Sequence, residues 1–292
     1  MAGASVVLVA LAALCWGLSG GIGGMLMAAG WNPFLVSFFR GAIGLLCVLA
    51  WLVLRPGGSG LAKPWLWFWA IIAGLGVAGN FAFYFVSIAE GSVAVAATLM
   101  YSAPAIVYGV SFAFGLEKPT AFKLAAIALV MAGIVLLTQV YETTPGGITP
   151  VGVGAGLLAG LSYAVFIFGF KYAAPHGSPQ SVLSIAFTVV ALVLIWPGGI
   201  DRALAAVDAP DFPLFVILGI LGAGLSFVLY VIGLKHAAPT MASMVALVEP
   251  ITASLFGVLV LNESLAAPQL VGMALILVTV TALGVQSGAE RK

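Results

Sequence analysis

The sequence predicts an all-α integral membrane protein, with about ten transmembrane helices arranged as two inverted-topology five-helix repeats, residues 1–148 and 149–292. Three observations carry that prediction. Composition is the first: of 292 residues, 63% are hydrophobic and only 7% charged, with a mean hydropathy of +1.24. A water-facing surface needs several times that share of charge, so the apolar residues must meet lipid or one another. A soluble enzyme and a nucleic-acid binder are excluded, and a net charge of +1 attracts neither an acidic nor a basic partner. The second observation is a series of apolar segments of spanning length, and the third is their repetition.

Cut at Pro, Gly and charge clusters, the chain yields segments 4–28, 33–54, 64–88, 91–114, 119–140, 149–173, 178–197, 212–234, 239–261 and 266–287. The first reads as a retained span, not a cleaved signal, because no Lys or Arg precedes it and the apolar run is too long. The breakers are Trp31-Asn32-Pro33, Arg55-Pro56-Gly57-Gly58, Glu117-Lys118-Pro119, Thr144-Pro145-Gly146-Gly147 and the polar stretch Asp201–Asp211. With both termini cytoplasmic, the inner loops and flanks hold Arg55, Lys63, Lys118, Lys123, Lys171, Lys235, Arg291 and Lys292, and the outer loops hold Arg202.

Laying Gly74–Leu137 on Ile220–Leu283 without a gap matches Leu75 with Leu221, Gly76 with Gly222, Phe81 with Phe227 and Tyr84 with Tyr230. Further along, Ala96 meets Ala242, Pro104 meets Pro250, Glu117 meets Glu263 and Leu124 meets Leu270. Gly17-Leu18-Ser19 similarly falls on Gly160-Leu161-Ser162. An odd number of spans per half forces the second half to enter upside down. The charges follow suit: Ala89-Glu90 at an outer turn aligns with Lys235-His236 at an inner one.

Cys15-Trp16-Gly17, Ser37-Phe38-Phe39-Arg40-Gly41-Ala42 and Ala242–Pro250 followed by Leu261-Asn262-Glu263-Ser264-Leu265 and Gly272 carry a resemblance. Ala103-Pro104 and Gly115–Pro119 form its first-half copy. On these residues the chain resembles the drug/metabolite transporter superfamily, EamA type, over nearly its whole length. The resemblance implies ten helices, cytoplasmic termini in the cell (inner) membrane, alternating access and export of small metabolites. The aromatic lining looks similar to the amino-acid exporter branch, including exporters of aromatic amino acids. One departure is Ala103 in the first copy where the second has Glu249, so a carboxylate before the proline serves one half only.

Inverted-repeat transporters bind near the midplane between their halves. The expected cavity residues are Trp16, Ser19, Asn80, Tyr84, Thr98, Tyr101, Ser162, Tyr163, Tyr230, Ser243, Met244 and Glu249. Trp16 sits too deep for the interfacial aromatic belt, whereas Gly20, Gly23 and Gly24 on its face read as a packing seam. Asn80, Tyr84 and Ser87 share a face that Ser226, Tyr230 and Gly233 repeat; they serve either substrate contact or interhelical hydrogen bonding. Met244, which aligns with Thr98, belongs either to a permissive pocket or to the core or lipid face. Pro104 and Pro250 are expected hinges, with a static kink as the alternative.

Glu249 lies midway along its segment, where a carboxylate costs about 2.5–3.5 kcal/mol, so it faces a cavity or a partner. Arg40 is shallower and reads as a structural, snorkelling residue. Glu117 and Glu263 tie turns to helix ends. Cys15 and Cys47 read as small buried residues. No catalytic pair, Walker sequence, metal cluster or dinucleotide fingerprint is present, so an enzyme, a resident metal and a cofactor are all unsupported. The expected partners are a small-molecule substrate and the lipid bilayer, with no nucleic acid and nothing that demands more than a monomer. A nucleotide sugar would need deep cations, of which Arg40 alone qualifies; a cationic drug could use Glu249 and the aromatics.

Overall fold

Helix starts in this chain are written by caps. Asn32 accepts a hydrogen bond from the Phe34 amide at 2.8 Å, Thr149 from Gly152 at 3.0 Å and Thr120 from Lys123 at 3.2 Å. Pro33, Pro64, Pro150, Pro179 and Pro239 follow their cap residues, where the missing amide hydrogen costs nothing. The breakers of the sequence are thus largely the first residues of new helices.

A computed structural model describes residues 2–90, 93–142, 149–261 and 264–289, and among these residues every regular element is helical. In order they are α1 (Ala2–Ala28), α2 (Pro33–Leu54), α3 (Pro64–Ala89), α4 (Val93–Met100), α5 (Ala103–Ala113), α6 (Ala121–Thr138), α7 (Pro150–Ala173), α8 (Pro179–Gly198) and α9 (Ile200–Val207). There follow α10 (Phe212–Gly219), a π-helical turn (Ile220–Leu225), α11 (Ser226–His236), α12 (Pro239–Val245), α13 (Val248–Leu261) and α14 (Ala267–Ala289). A 3₁₀ turn, Val140–Glu142, follows α6. Among the described residues, 9 helical stretches are long and apolar enough to span a membrane, and α14 carries a shorter apolar run, Ala267–Leu283. Outward-facing Leu46, Val53, Leu259 and Val278 are the surface that lipid requires. The Thr144–Gly147 breaker, Glu263, Arg291 and Lys292 lie outside the described residues.

Two expected spans are interrupted. Between α4 and α5 the chain turns at Tyr101-Ser102, just ahead of Pro104; between α12 and α13 it turns at Ala246-Leu247, ahead of Pro250. Each proline lacks the amide that would bond the carbonyl four residues back, and the helix gives way there. The Ala246 carbonyl instead accepts from the Glu249 amide at 2.9 Å. A third irregularity is the π turn within the eighth span. The stretch Asp201–Asp211, expected as a connection, contains α9, whose Ala203 and Ala206 are buried.

Packing crosses between the halves. α1 lies against α11 and α13, and α7 lies against α3 and α4, while α2 meets α8 and α6 meets α14. Glycines permit the close approaches. A Cβ at Gly17 would stand 2.5 Å from Thr252 Cβ and 2.6 Å from the Glu249 carbonyl oxygen. At Gly160 it would stand 3.1 Å from the carbonyls of Leu99 and Met100, so α7 rests on the α4–α5 interruption. Asn80 and Ser87 add hydrogen bonds from α3 to the Ala159 and Gly152 carbonyls of α7, at 3.0 and 2.8 Å.

One end of the bundle gathers the basic residues. Gln180 donates to the Arg55 carbonyl at 3.0 Å, and Lys171 Nζ caps the end of α11 at the Leu234 carbonyl, 2.9 Å away. Lys123 donates to Glu117 at 2.7 Å, and the Thr240 hydroxyl bonds the other oxygen of that carboxylate. Glu117 therefore ties its own turn, as expected, and also joins the α5–α6 turn to α12. At the opposite end Thr149 bonds Glu90, and the Trp31 indole donates to Asp211 at 2.9 Å.

Candidate functional site

A cavity of about 480 Å³ opens between these helices. Its deep wall is Trp16, Asn80, Tyr101, Tyr163, Phe166, Phe227 and Glu249; toward the end opposite the basic cluster it reaches Met27, Ile88 and Gly257. Both halves contribute. The local structure explains how each side chain arrives: Tyr101 sits in the α4–α5 turn, and Glu249 opens α13 just past the second interruption. A straight helix would present neither residue in this way.

Seven of the twelve expected residues line the cavity: Trp16, Ser19, Asn80, Tyr84, Tyr101, Tyr163 and Glu249. Trp16 is 3% exposed, and its ring lies 5.0 Å from Phe227 and 4.9 Å from Tyr230. Asn80 lines the cavity and also makes the interhelical hydrogen bond considered for it, to the Ala159 carbonyl of α7. The other five lie elsewhere. Tyr230 is 0% exposed, packed behind Trp16 and outside the cavity lining. Thr98 shares a hydrogen bond with Thr138 on α6 at 2.6 Å. Ser243 bonds the Thr240 carbonyl at 2.8 Å, and Met244 is core. Ser162 stands against Gly79, where helix α7 crosses α3. Pro104 and Pro250 are both buried at the starts of α5 and α13.

Arg40 differs from its expected placement. It does not snorkel; it lines the cavity, its Nε donating to the Gly222 carbonyl at 3.0 Å and its guanidinium lying 4.9 Å from the centre of the Phe81 ring. Gly222 belongs to the π turn. The sequence carried a signal for this residue, a cation well inside an apolar segment. The glycines of α1 also divide. Gly17 packs on α13, and a side chain at Gly21 would strike Phe256, but a Cβ at Gly20 or Gly24 would meet no atom within 4 Å. All four line the cavity, but only the last two have open space before them. Arg40 and Glu249 share the cavity without forming an ion pair within 4.0 Å, and no described residue hydrogen-bonds the Glu249 carboxylate. Among the described residues no group of three or more His, Cys, Asp or Glu could hold a metal.

Comparison with known proteins agrees with this architecture. A solved structure covering 99% of this chain and 99% of its own superposes with a TM-score of 0.76 at 20% identity, which speaks to the fold. An uncharacterised transporter of Archaeoglobus fulgidus is 29% identical over 252 residues, 85% of each chain. The uncharacterised transporter YwfM of Bacillus subtilis is 26% identical over 288 residues, 97% of this chain and 94% of its own. The pattern of the EamA-like transporter family matches residues 3–139 and matches again over 150–285. A multi-pass apolar bundle, a cavity at its centre and a family pattern met twice along the chain lead to one conclusion: this protein belongs to the EamA-like transporter family.

Proposed function

We propose that the protein is a secondary transporter that exports amino acids, with a broad range that includes aromatic ones, or similar small metabolites across the cell (inner) membrane. The observation that carries the reading is the cavity itself. Its volume, about 480 Å³, falls in the range of small-molecule sites. Its walls are aromatic, and its two charged residues, Arg40 and Glu249, are of opposite sign. Such a lining suits a solute with an apolar body and no net charge.

Alternating access is the transport mode of this reading. Ten spanning helices form two inverted repeats, 1–148 and 149–292, with α14 as the tenth span and both termini cytoplasmic. Support comes from the exchange of partners between halves, the paired interruptions before Pro104 and Pro250, and the gathering of basic residues at one end. The cavity extends toward the other end, so this is an outward-facing arrangement; Glu117 and Thr240 hold the cytoplasmic end closed. Pro104 and Pro250 act as hinges between the two arrangements.

A cationic-drug carrier is the second reading, favoured by Glu249 among aromatics. Arg40 in the same wall weighs against it, because it repels a cation. Proteoliposomes loaded with labelled amino acids decide the matter: protein-dependent efflux of phenylalanine or leucine is expected, with none for a cationic dye. Absence of flux for every amino acid would remove the proposal.

A further inference from the structure

Arg40 is held in a way that leaves its recognition surface unused. Only Nε is engaged, at the Gly222 carbonyl, and one face of the guanidinium lies over Phe81. The terminal nitrogens make no hydrogen bond to a described residue. What remains is a planar fork of donors, oriented from behind, which matches the two oxygens of a carboxylate.

The holder is specific. Gly222 lies in the π turn Ile220–Leu225, a wide turn of a kind that recurs at functional sites. A Cβ there would stand 2.7 Å from Arg40 Nε and 2.8 Å from Ser19 Oγ, so any side chain at this position displaces the arginine. Across the same cavity Glu249 offers a carboxylate with no donor among the described residues and no ion pair to Arg40. Two opposite charges placed in one apolar chamber and left unjoined are costly unless a third party bridges them.

We infer that the cavity reads both ends of a zwitterion: Arg40, presented by the π turn through Gly222, grips the carboxylate of an α-amino acid, and Glu249 takes its ammonium group. The aromatic wall of Trp16, Tyr84, Tyr101 and Phe166 receives the side chain. This assignment rests on the amino-acid reading of the cavity and adds to it the orientation of the bound molecule and the residue that positions Arg40.

The test is calorimetric binding to the purified full-length protein with two ligand sets. One is phenylalanine, 2-phenylethylamine, which lacks the carboxylate, and 3-phenylpropanoate, which lacks the ammonium. The other is leucine, 3-methylbutylamine and 4-methylpentanoate. The wild-type protein should favour each amino acid over both truncated relatives by roughly tenfold or more. Arg40→Gln should abolish the preference for the amino acid over the amine while keeping that over the acid, and Glu249→Gln should do the reverse. Gly222→Ala, which leaves the arginine in the chain, should reproduce the Arg40→Gln pattern. Each readout is a ratio measured within one protein, so a general loss of folded material does not mimic it. Unchanged ratios in Arg40→Gln or Glu249→Gln would overturn the assignment even if amino acids bind. Ratios that Gly222→Ala leaves at wild-type values would overturn the positioning role. Failure of either amino acid to bind the wild-type protein would instead remove the reading beneath it.

Discussion

At the scale of single residues, the four glycines at 17, 20, 21 and 24 of α1 look alike in sequence and do opposite things. Gly17 and Gly21 let α13 approach, whereas Gly20 and Gly24 keep the cavity wide. Gly20→Leu should therefore leave thermal denaturation of the purified protein unchanged while abolishing efflux of phenylalanine and sparing alanine more. Gly17→Leu should instead destabilise by about 1–3 kcal/mol through overpacking against backbone, read as a lower denaturation midpoint. Which of them meets a helix depends on where α13 docks, and no local pattern states that. Arg40 has the same explanation. Its depth along its own helix suggested a route to the surface, yet its direction is set by a carbonyl 182 positions away. Tyr230 was matched to Tyr84 by the internal repeat; the first is walled off by Trp16 and the second faces the cavity. Repeated sequence gave both residues a central position, and the aromatic stack behind Trp16 decided which of them a solute can reach.

At the scale of elements, the spans were legible and their interruptions were not. Apolar length, cut at Pro, Gly and charge clusters, located the described helix ends to within about three residues, because prolines and caps mark the helix starts. The turns at Tyr101-Ser102 and Ala246-Leu247 leave no gap in hydropathy, since both lie inside continuous apolar runs. The matched prolines were the available sign, and it could equally have meant a gentle kink. α9 hides for the converse reason: two helical turns within a polar stretch have too few apolar positions to register. Because α7 rests on the first interruption at Gly160, Gly160→Leu should push the α4–α5 turn away and carry Tyr101 out of the cavity wall. The expected result is a loss of about 1–3 kcal/mol in stability together with loss of phenylalanine binding, both measurable on the purified protein.

At the scale of the whole molecule, the bundle has a basic end and an end toward which the cavity reaches. Single cysteines replacing Glu90 and Lys235 should report opposite sides: an impermeant maleimide added to intact cells should label position 90 and spare 235. Labelling of both would contradict the inverted arrangement. The Glu117–Thr240 bond spans the halves at the basic end; with that end cytoplasmic and closed, as proposed, Thr240→Val should loosen it and raise labelling of a cysteine at Trp16 from the cytoplasmic side of inverted vesicles. The exchange of partners has a consequence for biogenesis. α1 leaves the ribosome well before the surfaces that cover it, on α11 and α13. Until they arrive, its bare backbone face borders lipid with nothing to pack against, and a chain halted after the first five spans holds a helix whose partners do not yet exist. Two halves encoded as separate polypeptides should accordingly survive proteolysis when made together and be degraded when made apart.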